Sequence, residues 1–231
     1  MILPIKADNR GLRRPAVTAL LVVANLAAFA YMKLLGPSGF GAFTAMYGLI
    51  PFEITHASDA LTPTPIPLYA TLFTAIFIHG GWLHLAGNML YLWIFSPSIE
   101  DALGHTRFAA FYLFCGAAAT AAHVLAGPDS TIPMVGASGA IAGVLGAYMA
   151  SFPGVRIHVV VFLLFFIQVI RVPALIVLGV WFAVQLINAS AEGGTAGGVA
   201  WYAHIAGFVV GYLIAARRRR RLRPATMEYY A

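Results

Sequence analysis

The sequence predicts an all-α integral membrane protein built around six transmembrane helices. Three observations carry that prediction. The chain is 61% apolar and only 10% charged, a composition typical of multi-span membrane proteins. Its apolar residues fall into runs near the ~20 residues that a hydrocarbon core of about 30 Å requires. Its basic residues are confined to the tails and to alternate connections, as the positive-inside rule demands. The net charge of +6 comes largely from the tails and does not indicate a nucleic-acid surface.

Residues 1–14 form a short basic tail, and Leu12-Arg13-Arg14-Pro15 leads straight into the first span at 16–35, without a cleavable signal pattern. A long connection, 36–67, ends in Thr62-Pro63-Thr64-Pro65-Ile66-Pro67. Residues 68–95 are apolar but interrupted by His79-Gly80-Gly81. The glycine pair breaks the stretch, so the second span is 82–103. The third span, 108–126, contains the single cysteine, Cys115, which excludes a disulfide framework or CxxC motif. The fourth span, 137–152, is closed by Phe152-Pro153-Gly154. The fifth is 173–190. A glycine-rich loop, 193–198, leads to the sixth, 201–217, which five arginines, Arg217 to Arg221, stop. The domain expected is a single membrane unit, 15–217, between cytoplasmic basic tails at 1–14 and 218–231.

Residues 155–172 are apolar enough to span. Counting them as a span would put the run of arginines outside. With six spans, 13 of the 14 Lys and Arg residues lie on the inner side. The exception, Lys33, sits at the outer end of the first span and can snorkel. The segment is therefore read as re-entrant or interfacial on the inner face. The absence of a presequence points to a prokaryotic plasma membrane with both termini cytoplasmic.

The fourth span is too short for its membrane. From Ser138 to Pro153 is about 22 Å at helical rise, against about 30 Å of hydrocarbon, which sinks Ser138 below the outer surface. On the sixth span His204 lies about 20 Å above Arg217. On the second, His84 and Asn88 lie about 24 and 18 Å above Glu100, and at i and i+4 they share a helix face. Four polar residues thus fall in one slab, and polar groups at such depth are a functional hypothesis by default. The bland reading of each alone is interhelical hydrogen bonding. Gly139 and Gly143 on the fourth span, with Gly207 and Gly211 on the sixth, provide the small-residue spacing that lets helices approach closely.

A serine hydroxyl needs a base before it can attack. His204 is the candidate base, and then the acid for the leaving amine. Glu100 and Asp101 mark the inner edge of the second span and no Asp or Glu lies deeper in any span, so the arrangement is a Ser–His dyad. Asn88, His84 and the Ser138 backbone N–H lie at a suitable depth to bind an oxyanion. There is no HExxH for a zinc protease, and no metal site or cofactor is expected. His79 and His84 do not share a helix face.

These residues resemble the rhomboid family of intramembrane serine proteases. The matching motifs are Gly136-Ala-Ser138-Gly139, Ala203-His204-Ile-Ala-Gly207-Phe208, His84-Leu-Ala-Gly-Asn88 and Glu100-Asp-Ala-Leu-Gly104. The resemblance implies a six-helix core. It implies Ser138 as nucleophile, His204 as base, and His84, Asn88 and the Gly136–Ser138 backbone around the oxyanion. It also implies single-span membrane proteins as substrates, cut in or near their transmembrane segments within the lipid bilayer. Two positions depart from the pattern. Ala142 stands where some members stack an aromatic on the histidine, leaving Tyr148, Tyr202 or a neighbouring helix to orient His204. The connection 36–67 lacks a Trp-Arg motif. The glycine-rich loop 193–198 and the fifth-span residues Trp181, Phe182 and Gln185 suggest a movable lid and gate, with Gln185 equally suited to interhelical bonding. The alternative function is a non-catalytic rhomboid-like protein that binds transmembrane segments.

Overall fold

The computed structural model describes residues 2–9, 11, 13–60, 62–163, 166–192 and 200–218. The glycine-rich loop 193–198 and residues 219–231 of the basic tail lie outside them. The described chain is mostly helical. We label the helices α1 (Ala16–Leu34), α2 (Gly36–Tyr47), α3 (Pro51–His56), α4 (Trp82–Leu103), α5 (His105–Ala126), α6 (Ser138–Ser151), α7 (Ala174–Glu192) and α8 (Trp201–Arg218). Short helical turns occupy Leu68–Phe77 and meet α4 at a bend of 82°, at the His79-Gly80-Gly81 break. By length and composition α1, α5 and α7 can cross a membrane, and a fourth span results if the bent pair counts as one. The apolar α6 is only 14 residues long, about 21 Å.

One expectation needs correction. The fold is not all-α, because residues 155–172, placed from the sequence as a re-entrant or interfacial segment, form strands. They supply β2 (Arg156–Leu163) and β3 (Phe166–Pro173), an antiparallel hairpin. The cause is local: the run Arg156-Ile-His-Val-Val-Val is dense in β-branched residues, which fit a pleated surface. The N-terminal segment, read as a tail, supplies β1 (Ile2–Ala7), antiparallel to β2 with an irregularity between Pro4 and Lys6. The sheet order is β1-β2-β3. Proline is tolerated in β1 because that strand is at the sheet edge. Ala7, Ile157 and Val159 are buried beneath the sheet. The connection 36–67 carries α2 and α3.

The core is centred on α6, nearly all of whose residues are buried. It packs most extensively on α8, then on α5, α4 and α7. The closeness comes from glycine. A Cβ on Gly207 would overlap the Gly139 carbonyl oxygen, one on Gly211 the Gly143 carbonyl oxygen, and one on Gly146 the Phe208 carbonyl oxygen. Backbone thus touches backbone at three successive levels of the α6–α8 interface. Lipid tails provide no hydrophobic drive between helices, so this dense packing supplies the attraction instead.

The end of the bundle at the start of α1 is tied by polar groups. Pro15 gives α1 no side-chain cap. The Glu100 carboxylate substitutes, accepting Val17 N–H and Thr18 N–H at 2.8 Å each and Thr18 Oγ1–H at 2.6 Å. His105 Nδ1 lies 2.6 Å from its other face. A carboxylate at a helix N-terminus also meets the positive end of the macrodipole.

Candidate active site

Ser138 is the first residue of α6, and its position is set by the loop before it. That loop is pinned from two sides. Leu49 and Met134 exchange backbone hydrogen bonds of 3.0 and 2.7 Å, Phe52 N–H donates to the Ser130 carbonyl at 3.0 Å, and Thr55 Oγ1–H donates to the Pro128 carbonyl at 2.8 Å. The 36–67 connection therefore braces the serine loop without a Trp-Arg motif. From the other side, Gly136 N–H donates to the Ala75 carbonyl at 2.9 Å. Gly136 has φ +125°, and a Cβ there would stand 2.7 Å from His84 Nε2. Its N–H is thus engaged, and its contribution is to leave room for the imidazole above it.

His204 sits in the first turn of α8. Its Nε2 is 2.7 Å from Ser138 Oγ. The glycine contacts between α6 and α8 lie immediately below and permit that distance. Nδ1 of the same ring is 2.9 Å from Gln185 Oε1, and Gln185 Nε2–H donates to the Trp181 carbonyl at 3.0 Å. The rings of Trp181 and Trp201 flank the imidazole, with centroids 6.0 and 6.1 Å away. Neither tyrosine weighed for orienting His204 faces it through a hydroxyl: Tyr148 O–H donates to Asn9 Oδ1, and Tyr202 O–H reaches the Ala189 carbonyl at 3.4 Å.

Asn88 and His84 lie across the serine loop on α4. Asn88 is 7% exposed, and its Nδ2 has no hydrogen-bond partner among the described residues. It lies 3.7 Å from the point a Gly136 Cβ would occupy. His84 is exposed, and its ring meets that of the fully buried His79 edge-on at 5.1 Å. A helix start also leaves the Ser138 N–H without an intrahelical acceptor. The arrangement can deprotonate a hydroxyl on one side and offer donors to a developing negative charge on the other.

Sequence reasoning does not assign Gln185 to the histidine, reading it as a gate or interhelical-bonding residue. It carries the signal that singles out Asn88, a polar side chain in an apolar helix, but it has no glycine or motif context to lift it above packing.

A rhomboid domain is matched over residues 67–221, well over half of the chain. The chain is 41% identical over 78 residues to the rhomboid protease GluP of Bacillus subtilis (strain 168), covering 34% of this chain and 15% of that protein. It is 35% identical over 79 residues to RHOMBOID-like protein 5 of Arabidopsis thaliana, covering 34% and 26%. Over 102 residues it is 35% identical to the mitochondrial presenilin-associated rhomboid-like protein of Bos taurus, covering 42% and 26%. These matches span about a quarter of the relatives' own lengths or less. The domain match includes every helix from α4 to α8, hence both partners of the Ser138–His204 contact and the α4 residues beside it. This integral membrane protein belongs to the rhomboid family.

Proposed function

We propose that the chain is an intramembrane serine endopeptidase that cleaves single-span membrane proteins in or near their transmembrane segments. The observation that carries this reading is the 2.7 Å approach of Ser138 Oγ to His204 Nε2. His204 takes the hydroxyl proton as Oγ attacks the scissile carbonyl, then gives it to the leaving amine. Asn88 Nδ2, His84 and the Ser138 N–H serve as donors to the tetrahedral oxyanion. A water then hydrolyses the acyl-enzyme by the same route, and the chemistry requires no cofactor. In this reading 15–217 is one membrane domain of six spans, using the short α6 and α8 with the longer helices. Both termini face the cytoplasm of a prokaryotic cell. The distribution of Lys and Arg supports that orientation.

The test is co-expression with a panel of tagged single-span proteins, alongside labelling by a fluorophosphonate probe. Wild type should cleave at least one panel member and take up the probe, and Ser138→Ala should do neither. Equal cleavage by both would end the proposal. Absence of labelling with partner binding unchanged in Ser138→Ala would favour a non-catalytic binding protein.

A further inference from the structure

The imidazole of His204 has two nitrogens, and only one tautomer suits a base acting on Ser138. Neutral imidazole donates from one nitrogen and accepts at the other. Nothing in the Ser138 contact decides which, because a hydroxyl can donate or accept. The decision comes from α7. Gln185 is 5% exposed and lies four residues after Trp181, so its side chain runs back along the same helix face. Its amide nitrogen donates to the Trp181 carbonyl at 3.0 Å. An amide NH₂ can only donate and an amide oxygen can only accept. With Nε2 committed to that carbonyl, Oε1 is the atom turned to His204, 2.9 Å from Nδ1. Nδ1 must then carry the proton, which leaves the lone pair on Nε2, 2.7 Å from Ser138 Oγ. The opposite tautomer would set two lone pairs against each other at Gln185.

We propose that Gln185 is a positioning residue that selects the Nδ1–H tautomer of His204 and fixes the plane of its ring. This rests on the proteolytic reading above. It accounts for a dyad that has neither a carboxylate partner nor an aromatic at Ala142. Trp181 holds the amide through its carbonyl and also flanks the imidazole, 6.0 Å away and inclined by 38°. The three groups therefore act as a unit across the α7–α8 interface. Because the acceptor is on α7, a competent base also requires α7 to be seated against α8.

The discriminating variants are Gln185→Met, which keeps the volume and removes the acceptor, and Gln185→Glu, which keeps an acceptor oxygen. They are compared with wild type and Ser138→Ala on a purified transmembrane reporter. We expect Gln185→Met to lose about 10- to 100-fold in kcat with KM unchanged, part of the roughly 10²–10⁴-fold that a positioned base supplies. Gln185→Glu should recover most of that loss. A second readout needs no turnover: ¹⁵N-imidazole shifts should show His204 protonated at Nδ1 in wild type and Gln185→Glu, and as a tautomer mixture in Gln185→Met. The proposal is overturned if Gln185→Met keeps wild-type kcat, if Gln185→Glu loses as much as Gln185→Met, or if the tautomer is the same in all three. Should Gln185→Met fail to fold, Gln185→Glu and the wild-type tautomer decide. Failure of the proteolytic reading is separate, because it would appear as Ser138→Ala cleaving as well as wild type.

Discussion

Gly207 of α8 lies against the carbonyl of Gly139, the residue that follows the serine, so closely that a single methyl group would overlap it. The spacing of the dyad is therefore set by a backbone contact one turn beyond His204. Gly207→Ala must push α8 from α6, lengthening the 2.7 Å Ser138–His204 contact. A displacement of about 1 Å costs on the order of 10²-fold in rate. We expect Gly207→Ala to retain its fold and lose about that much kcat, measured on a transmembrane reporter peptide. The control is Gly179→Ala on α7, where a Cβ would meet open space; it should leave activity unchanged.

Gly136 provides a test on the other wall of the site. A methyl there would stand 2.7 Å from His84 Nε2, at a φ of +125° that side chains rarely adopt. The backbone strain costs about 1–3 kcal/mol, and the imidazole must move. Gly136→Ala should lower thermal stability and slow turnover together. Gly136→Ala combined with His84→Ala should recover part of the stability and none of the turnover. A differential-scanning measurement in detergent beside a turnover assay separates the two effects.

Asn88 is tested by truncation. If its buried Nδ2 stabilises the oxyanion, Asn88→Ala should lower kcat by about 10²–10³-fold and leave KM near its wild-type value. Ser138 would still take up a fluorophosphonate, more slowly, because the His204 contact is intact. Loss through KM alone would instead mark Asn88 as a substrate-binding or packing residue.

The helices were legible because lipid leaves few alternatives: long apolar runs, their glycine break at Gly80-Gly81, and the arginines that stop them. The Ser138–His204 pairing was legible for a related reason. Polar residues in spans are costly, and two spans running in the same direction offered them at one depth. The sheet was not legible. Arginine placement assigns 155–172 to a side of the membrane but says nothing of its conformation, and the partner strand Ile2–Ala7 lies about 150 positions away with weak periodicity of its own. The role of Gln185 depends on how α7 is rotated against α8. A lone amide in an apolar helix does not reveal that rotation.

Glu100 caps α1 from another helix, and the capped groups are buried at Thr18 and half-buried at Val17. Glu100 is 2% exposed and accepts from Val17, Thr18 and His105. Glu100→Ala would strand two N–H groups and a hydroxyl at the start of α1, and hydrogen bonds to charged groups are worth about 1.5–3 kcal/mol each. We expect a loss of about 2–4 kcal/mol, within the range for removing one member of a buried charged network. Reversible unfolding in mixed micelles measures it. Glu100→Gln should lose less, because an amide oxygen still accepts but carries no charge for the helix N-terminus.

Asn9 ties the N-terminal strand to two helices at once. Its side-chain oxygen accepts from Tyr148 O–H on α6, and its carbonyl accepts from Ser98 Oγ–H on α4 at 2.8 Å. Tyr148 is fully buried, so Asn9→Ala should leave its hydroxyl unsatisfied, at about 1–3 kcal/mol. Tyr148→Phe removes the donor instead and leaves the half-buried Asn9 amide access to water, so it should cost less. In the double variant neither group is stranded. The two losses should therefore fail to add, with a coupling of about 1 kcal/mol in a double-mutant cycle. Strict additivity would mean that the strand is held by its pairing with β2 and by the Ser98 bond alone.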